Sequence, residues 1–299
     1  MTPEISIILP CRGRPALLAR AIASVIAQTF GRWELLVIDD ASDPPLTVPQ
    51  DPRIRLIRQR RNLGPSAARE AGLALARAPL AAFLDSDDIW RPEKLALQIS
   101  RFRAGPPRAL VCGARVDGPS GARLRPGRAS RPGERLGAFL YIANEFAQIS
   151  GVLAPTEAAR AAGFGGLRQY EDHYFLLRLE ALGLPVEVSA EPLVLHTDDA
   201  TDRLGARDDP ERAAAFLDAA ARILAPEEAA AFRLRCLGPG LAAEDSAAAL
   251  RLALADARVP NAPKGAAAKL ALRALAGARL YTELRQVSRK RMRTRFRPS

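Results

Sequence analysis

From residue 5 to about residue 196, short apolar runs alternate with segments whose apolar positions recur at helical spacing. Ile5-Ser-Ile-Ile-Leu-Pro10 is an apolar run closed by proline, the pattern of a strand buried on both faces. Pro15 suits a first helical turn, and Leu18, Ile22, Val25 and Ile26 follow on one face. Trp33 to Ile38 predict a second strand, which ends in Asp39-Asp40-Ala-Ser42, and Ile54 to Ile57 a third. Asn62-Leu-Gly64-Pro65 marks a turn before a helix through Ala76. Ala81 to Leu84 predict a fourth strand that stops at Asp85-Ser86-Asp87-Asp88. A helix from Pro92 carries Leu95, Ile99 and Phe102, and Ala109 to Gly113 give a fifth strand. Such alternation predicts an α/β fold with a doubly wound, mostly parallel sheet and right-handed crossovers, flanked by helices.

The pattern then loosens. Residues 115 to 135 are rich in Arg, Gly and Pro and read as a loop or ragged hairpin, and Gln148 to Leu153 regain strand character. Glu157 to Ala162 predict a short helix, stopped by Gly163 and the Gly165-Gly166 pair. Tyr170-Glu171-Asp172-His173 opens another, packed through Phe175, Leu179 and Leu182. Val186 to Val188 and Leu193 to His196 are the last strand signals. Beyond Asp208 the character is helical only, so a boundary falls near 205: a sheet domain over 1–205 and a helical carboxyl-terminal region over 206–299.

Composition narrows the class. With 48% hydrophobic and 26% charged residues among 299, the chain is neither disordered nor fibrous. No apolar run approaches the ~18 residues of a membrane span, and no signal peptide is visible at the amino terminus. Cys11, Cys112 and Cys236 are far apart and odd in number, which suits reduced thiols; a cytoplasmic location is expected. The net charge of +11 is concentrated in one stretch: residues 264 to 299 hold eleven Lys and Arg against Glu283 alone. The helix predicted from Ala266 to Leu284 is poorly amphipathic, with Lys269, Arg273 and Arg279 scattered around it.

Candidate chemistry gathers where the apolar runs stop. Ligands of open α/β sheets bind beyond the carboxyl ends of the strands. Acids converging there repel one another unless a cation compensates. Mg²⁺ and Mn²⁺ suit such oxygen-rich sites, held by one or two carboxylates with phosphates completing the shell. The competing reading is that these acids cap turns and helix starts.

In order along the chain, Ile5-Ser-Ile-Ile-Leu-Pro10, Gln28-Thr-Phe30, Trp33-Glu-Leu-Leu-Val-Ile-Asp-Asp40-Ala-Ser42, the Asn62-x-Gly64-x-x-x-x-Arg69 segment and Asp85-Ser-Asp87-Asp88 resemble the family 2 glycosyltransferases, inverting enzymes of the GT-A fold. The resemblance is strong over residues 4 to 100, fair to about 200 and absent beyond. It implies that Pro10, Arg12, Asp39, Asp40, Asn62, Gly64, Arg69, Asp85, Ser86 and Asp87 line the nucleotide-sugar, with Arg69 facing the nucleotide. It further implies that Asp87 and Asp88 lie closest to a Mg²⁺ or Mn²⁺ ion, with His196 touching the metal or diphosphate. Asp172 is the implied general base, with Glu171 orienting it or binding acceptor; against this stands the reading of both as first-turn acids. Glu70 departs from the family, which often has Asn after the arginine.

The implied activity is transfer of a sugar from a UDP-sugar to a hydroxyl of a saccharide or lipid-linked acceptor in cell-surface polysaccharide or glycolipid synthesis. Two rivals remain: a sugar nucleotidyltransferase, for which Cys11-Arg12-Gly13-Arg14-Pro15 is a faint phosphate loop, and a scaffold that kept the fold without the chemistry. A dinucleotide-binding oxidoreductase lacks its Gly-x-Gly-x-x-Gly after the first strand. The basic carboxyl-terminal stretch suits an anionic membrane surface, at the inner face of the membrane, better than nucleic acid, since nothing beside it would read bases.

Overall fold

The computed structural model describes residues 2–118, 121–197 and 209–276. The chain divides into two compact units, Met1–Arg203 and Leu204–Ser299.

In the first unit the elements run β1 (Ile5–Cys11), α1 (Pro15–Ile26), β2 (Trp33–Asp39), β3 (Ile54–Arg58), α2 (Pro65–Leu75), β4 (Leu80–Phe83), β5 (Ile89–Trp90) and α3 (Lys94–Arg103). They continue with β6 (Ala109–Gly118), β7 (Gly121–Arg125), β8 (Val152–Pro155), α4 (Thr156–Ala162), α5 (Glu171–Ala181) and β9 (Val186–Thr197). Among the described residues one sheet forms in the order β3-β2-β1-β4-β8-β6-β9-β5, with β7 paired to β6. The first four strands are parallel, as doubly wound crossovers require. β8 then runs antiparallel to both β4 and β6, β9 parallel to β6, and β5 antiparallel to β9, so the second half of the sheet is mixed.

β1, β2 and β4 are almost wholly buried, which is why they read as unbroken apolar runs. α1 covers them with Leu18, Ile22 and Val25, while Ile26 is 43% exposed at the helix end. α5 packs through Phe175 and Leu179 but leaves Leu182 outside at 49%. Gln148–Leu153 is not one strand: a single 3-10 turn over Ile149–Gly151 leads into β8. The two late strand signals belong to one strand, β9. Their apparent break is an irregularity: Val188 faces Val111 and Pro192 faces Gly113, so residues 189–191 bulge from the ladder. The ragged stretch 115–135 begins as the β6–β7 hairpin.

The second unit is helical in its described part: α6 (Pro210–Ala220), α7 (Pro226–Phe232), α8 (Gly238–Glu244), α9 (Ser246–Asp256) and α10 (264–276). Asp209 and Asp245 cap α6 and α9 by accepting backbone N–H bonds. Ala249 and Ala253 of α9 share a core with Ala266, Ala267, Leu270 and Ala274 of α10. The buried side of α10 is thus mostly alanine, so hydrophobicity contrasts weakly around it although the helix is two-sided. Residues 277–284 of the helix expected there, and the basic sequence after them, lie outside the described residues. No described helix is long and apolar enough to cross a membrane.

Candidate active site

β1, β2 and β4 are parallel and adjacent, so the loops after them emerge at one edge of the sheet. Pro10, near the end of β1, is half-buried; after the strand Arg12 is exposed, and Arg14 takes a left-handed conformation (φ 56°) ahead of α1. Its Nη1 lies 3.5 Å from Asp87. Burial pushes the Cys11 thiol up to about 11, against a lowering hydrogen bond with Ser86.

The Asp39-Asp40 pair holds this edge together. Asp39 is fully buried and accepts from Ser42 N at 2.8 Å and from Arg58 Nη1 at 3.2 Å. Burial alone would raise its pKa; the Ser42 and Leu46 hydrogen bonds and the Arg58 charge outweigh it and leave the carboxyl below its ordinary range. Asp40 accepts from Leu63 N at 2.8 Å and Gly64 N at 2.9 Å, one bond per oxygen. Asn62 Oδ1 shares the Gly64 N–H. Gly64 sits at φ 86°, a backbone region in which a side chain is strained, and this turn feeds α2. A carboxylate has about four lone-pair sites, so Asp40 can still take a ligand donor.

Arg69 of α2 is 3% exposed. Its Nη2 donates to Asp85 at 2.7 Å and its Nη1 to Glu171 at 2.9 Å, so both ends of the guanidinium are engaged by acids of the protein. Phe164 lies 5.4 Å from its guanidinium carbon. The two carboxylates hold Arg69 firmly protonated despite burial. Burial lifts the Glu171 carboxyl, with Arg69 opposing and Asp172 adding to the rise. Glu171 and Asp172 form the first turn of α5, after Tyr170 at φ 62°. Asp172 is partly exposed and accepts from His173 N at 2.8 Å. One guanidinium therefore joins the loop after β4 to the start of α5. Glu70, the departure noted in the sequence, accepts from Phe164 N at 3.0 Å and ties α2 to the same Gly163-Phe164-Gly165 segment.

The acids after β4 separate by environment. Asp85 keeps 34% of its side chain exposed and Asp87 19%. Asp88 is turned inward at 1% exposure, and its Oδ1 lies 2.7 Å from His196 Nδ1. The β5–β9 register, Ile89 opposite Leu195, sets that meeting. Burial raises the Asp88 carboxyl, and His196 and Ser150 act against the rise. From there Asp88 fixes the His196 ring through Nδ1. Ser150, which the sequence did not mark, organises the loop: its Oγ accepts from Asp85 N at 3.0 Å and its carbonyl from Trp90 Nε1 at 2.8 Å. No local motif surrounds Ser150, which lies in the stretch read as strand. Arg58 was likewise unmarked, and Arg14 was marked only within the faint phosphate loop, because their acid partners are fixed by tertiary structure.

Among the described residues no three metal-ligating side chains form a ready-made cage. Asp85 and Asp87 are the part-exposed carboxylates at this edge, the kind of donor an open, oxygen-rich cation site uses. Lys94, the first lysine of the chain, does not serve a phosphate loop: it is fully buried, bonded to Gln98 Oε1 at 2.7 Å and set 3.9 Å over the Trp90 ring.

The family model for glycosyl transferase family 2 matches residues 6–163. That match ends before Glu171, Asp172 and His196. The chain is similar to UDP-Glc:alpha-D-GlcNAc-diphosphoundecaprenol beta-1,3-glucosyltransferase WfgD of Escherichia coli, 40% identical over 32% of this chain and 40% of that protein. It is also similar to succinoglycan biosynthesis protein ExoO of Rhizobium meliloti, 37% identical over 41% of this chain and 36% of that one. The matches thus span about two fifths of these relatives' length. In fold it resembles the crystal structure of S. aureus TarS 1-349 in complex with UDP-GlcNAc, with a TM-score of 0.65, 15% identity, and coverage of 94% of this chain and 88% of that one. The sheet unit has the GT-A architecture.

Proposed function

Because the chain belongs to glycosyl transferase family 2, we propose that it transfers a sugar from a UDP-sugar to a hydroxyl of a saccharide or lipid-linked acceptor in polysaccharide synthesis, with inversion. The observation that carries this reading is the Arg69 bridge, which brings the acids after β4 and the acids opening α5 to one rim. The names of the relatives, one using UDP-Glc and one making succinoglycan, support the donor and the product class.

In this reading the loops after β1 and β2 receive the base and ribose, with Asp85 on the ribose and Asp87 and His196 on the diphosphate side. A Mg²⁺ or Mn²⁺ ion held by Asp87 and His196 would neutralise the charge that builds on the departing diphosphate. Asp172 accepts the proton of the acceptor hydroxyl. The acceptor oxygen bonds to the anomeric carbon from one face as the bond to the diphosphate breaks on the other, and UDP leaves with the bonding pair. Glu171, fixed by Arg69, positions Asp172 beside it.

The test is turnover of a UDP-sugar panel with Mn²⁺, comparing the native chain with Asp172→Asn. Loss of transfer by about 10²–10⁴-fold, with UDP binding kept, supports the reading. Equal rates for the two proteins, or no turnover of any donor, overturns it.

A further inference from the structure

The outward side of α10 carries an apolar strip set between cations. Its inner side, Ala266, Ala267, Leu270 and Ala274, belongs to the core of the second unit. Opposite, Leu272 is 49% exposed and Leu275 72%. Lys264 and Lys269 are exposed as well, and residues 264–276 contain no acid. At ~100° per residue, Lys264, Ala268, Leu272 and Leu275 fall within a strip ~80° wide, with Lys269 ~60° to one side. The sequence after α10 continues the sign, with eight Lys and Arg and one Glu between 277 and 299.

Single exposed leucines are ordinary on a protein surface. Two on one strip, fenced by lysines and followed by further positive charge, are not explained by the unit's own packing. An anionic bilayer matches both features. The leucines enter the boundary between headgroups and acyl chains, and the lysine stems lie along it while their ammonium groups reach lipid phosphates. Nucleic acid would satisfy the charge and leave the leucines in water. The irregular spacing of the cations suits a fluid array of headgroups better than a partner of one shape.

We propose that α10 docks the protein on a bilayer rich in anionic phospholipid, with Leu272 and Leu275 inserted and Lys264 and Lys269 on the headgroups. This docking stands apart from the sugar-transfer reading, and its test needs no substrate. The full chain is floated with vesicles of phosphatidylglycerol and phosphatidylcholine in equal parts, and with phosphatidylcholine alone. Binding is expected to the anionic vesicles only, and to weaken in high salt. Leu272→Ser with Leu275→Ser is expected to lower the partition coefficient about tenfold or more while helix content and Tm hold. Lys264→Gln and Lys269→Gln should each lower it about fivefold. Three results overturn the proposal: no binding to anionic vesicles at low salt, equal partition of the leucine variant and the native chain, or retention by heparin without binding to vesicles.

Discussion

Arg69 carries its charge where water barely reaches, between Asp85 and Glu171. Removing one member of a buried ion pair leaves the others uncompensated, at a cost of about 3–5 kcal/mol. Arg69→Met is therefore expected to lower unfolding free energy by about that amount, and adding Glu171→Gln should recover part of the loss; urea denaturation of the three proteins checks both. Lys94 gives a second prediction. Burial depresses its pKa from 10.5 to about 8, with only a small opposing effect from Cys112. Between those values the unfolded chain binds more protons than the folded one, so stability rises with pH. The contribution is complete above the unfolded value and is lost as pH falls through about 8. Lys94→Met is expected to flatten this rise, measured by denaturation at pH about 7 and about 10. The sequence made Asp39, Asp40 and the 85–88 acids visible because each follows a buried strand. It could not show that Asp88 turns inward to His196 or that Arg69 reaches Glu171 as well as Asp85, since His196 and Glu171 lie 108 and 102 residues from their partners.

At the scale of elements, the parallel half of the sheet was legible because strands buried on both faces leave unbroken apolar runs. The mixed half was not: β8 is four residues long, and the bulge in β9 splits its apolar pattern in two. The close approach of the turn before β8 to β6 needs one small residue. A Cβ at Gly151 would stand 2.5 Å from the Cys112 carbonyl oxygen, a backbone atom that cannot rotate away. Gly151→Ala is expected to cost about 1–3 kcal/mol through strain, read as a lowered Tm. Because Ser150 beside it holds Asp85 and Trp90, the same variant should also weaken UDP binding. A variant with normal Tm and normal binding would show that the approach yields more easily than the geometry indicates.

For the whole molecule, ligands that bind only the folded state are the most direct probe. A ligand at one hundred times its Kd adds about 2.7 kcal/mol. UDP with Mn²⁺ is expected to raise Tm, UDP alone to raise it less, and Asp87→Asn to abolish the difference while Asp172→Asn preserves it; calorimetry of the three proteins decides. Apart from His196, the groups assigned to the nucleotide lie between Pro10 and Asp87, whereas the proposed base Asp172 and its neighbour Glu171 follow Gly163. Several contacts couple these stretches, among them Arg69 with Glu171, Glu70 with the Phe164 N–H and Asp88 with His196. An exchange of everything from the β6–β7 hairpin onward would therefore have to retain Ser150, Phe164, Glu171 and His196 for the edge after β4 to keep its shape. Under the proposed function, replacement of the segments between those four anchors would vary the acceptor side while the parallel half of the sheet stays as it is.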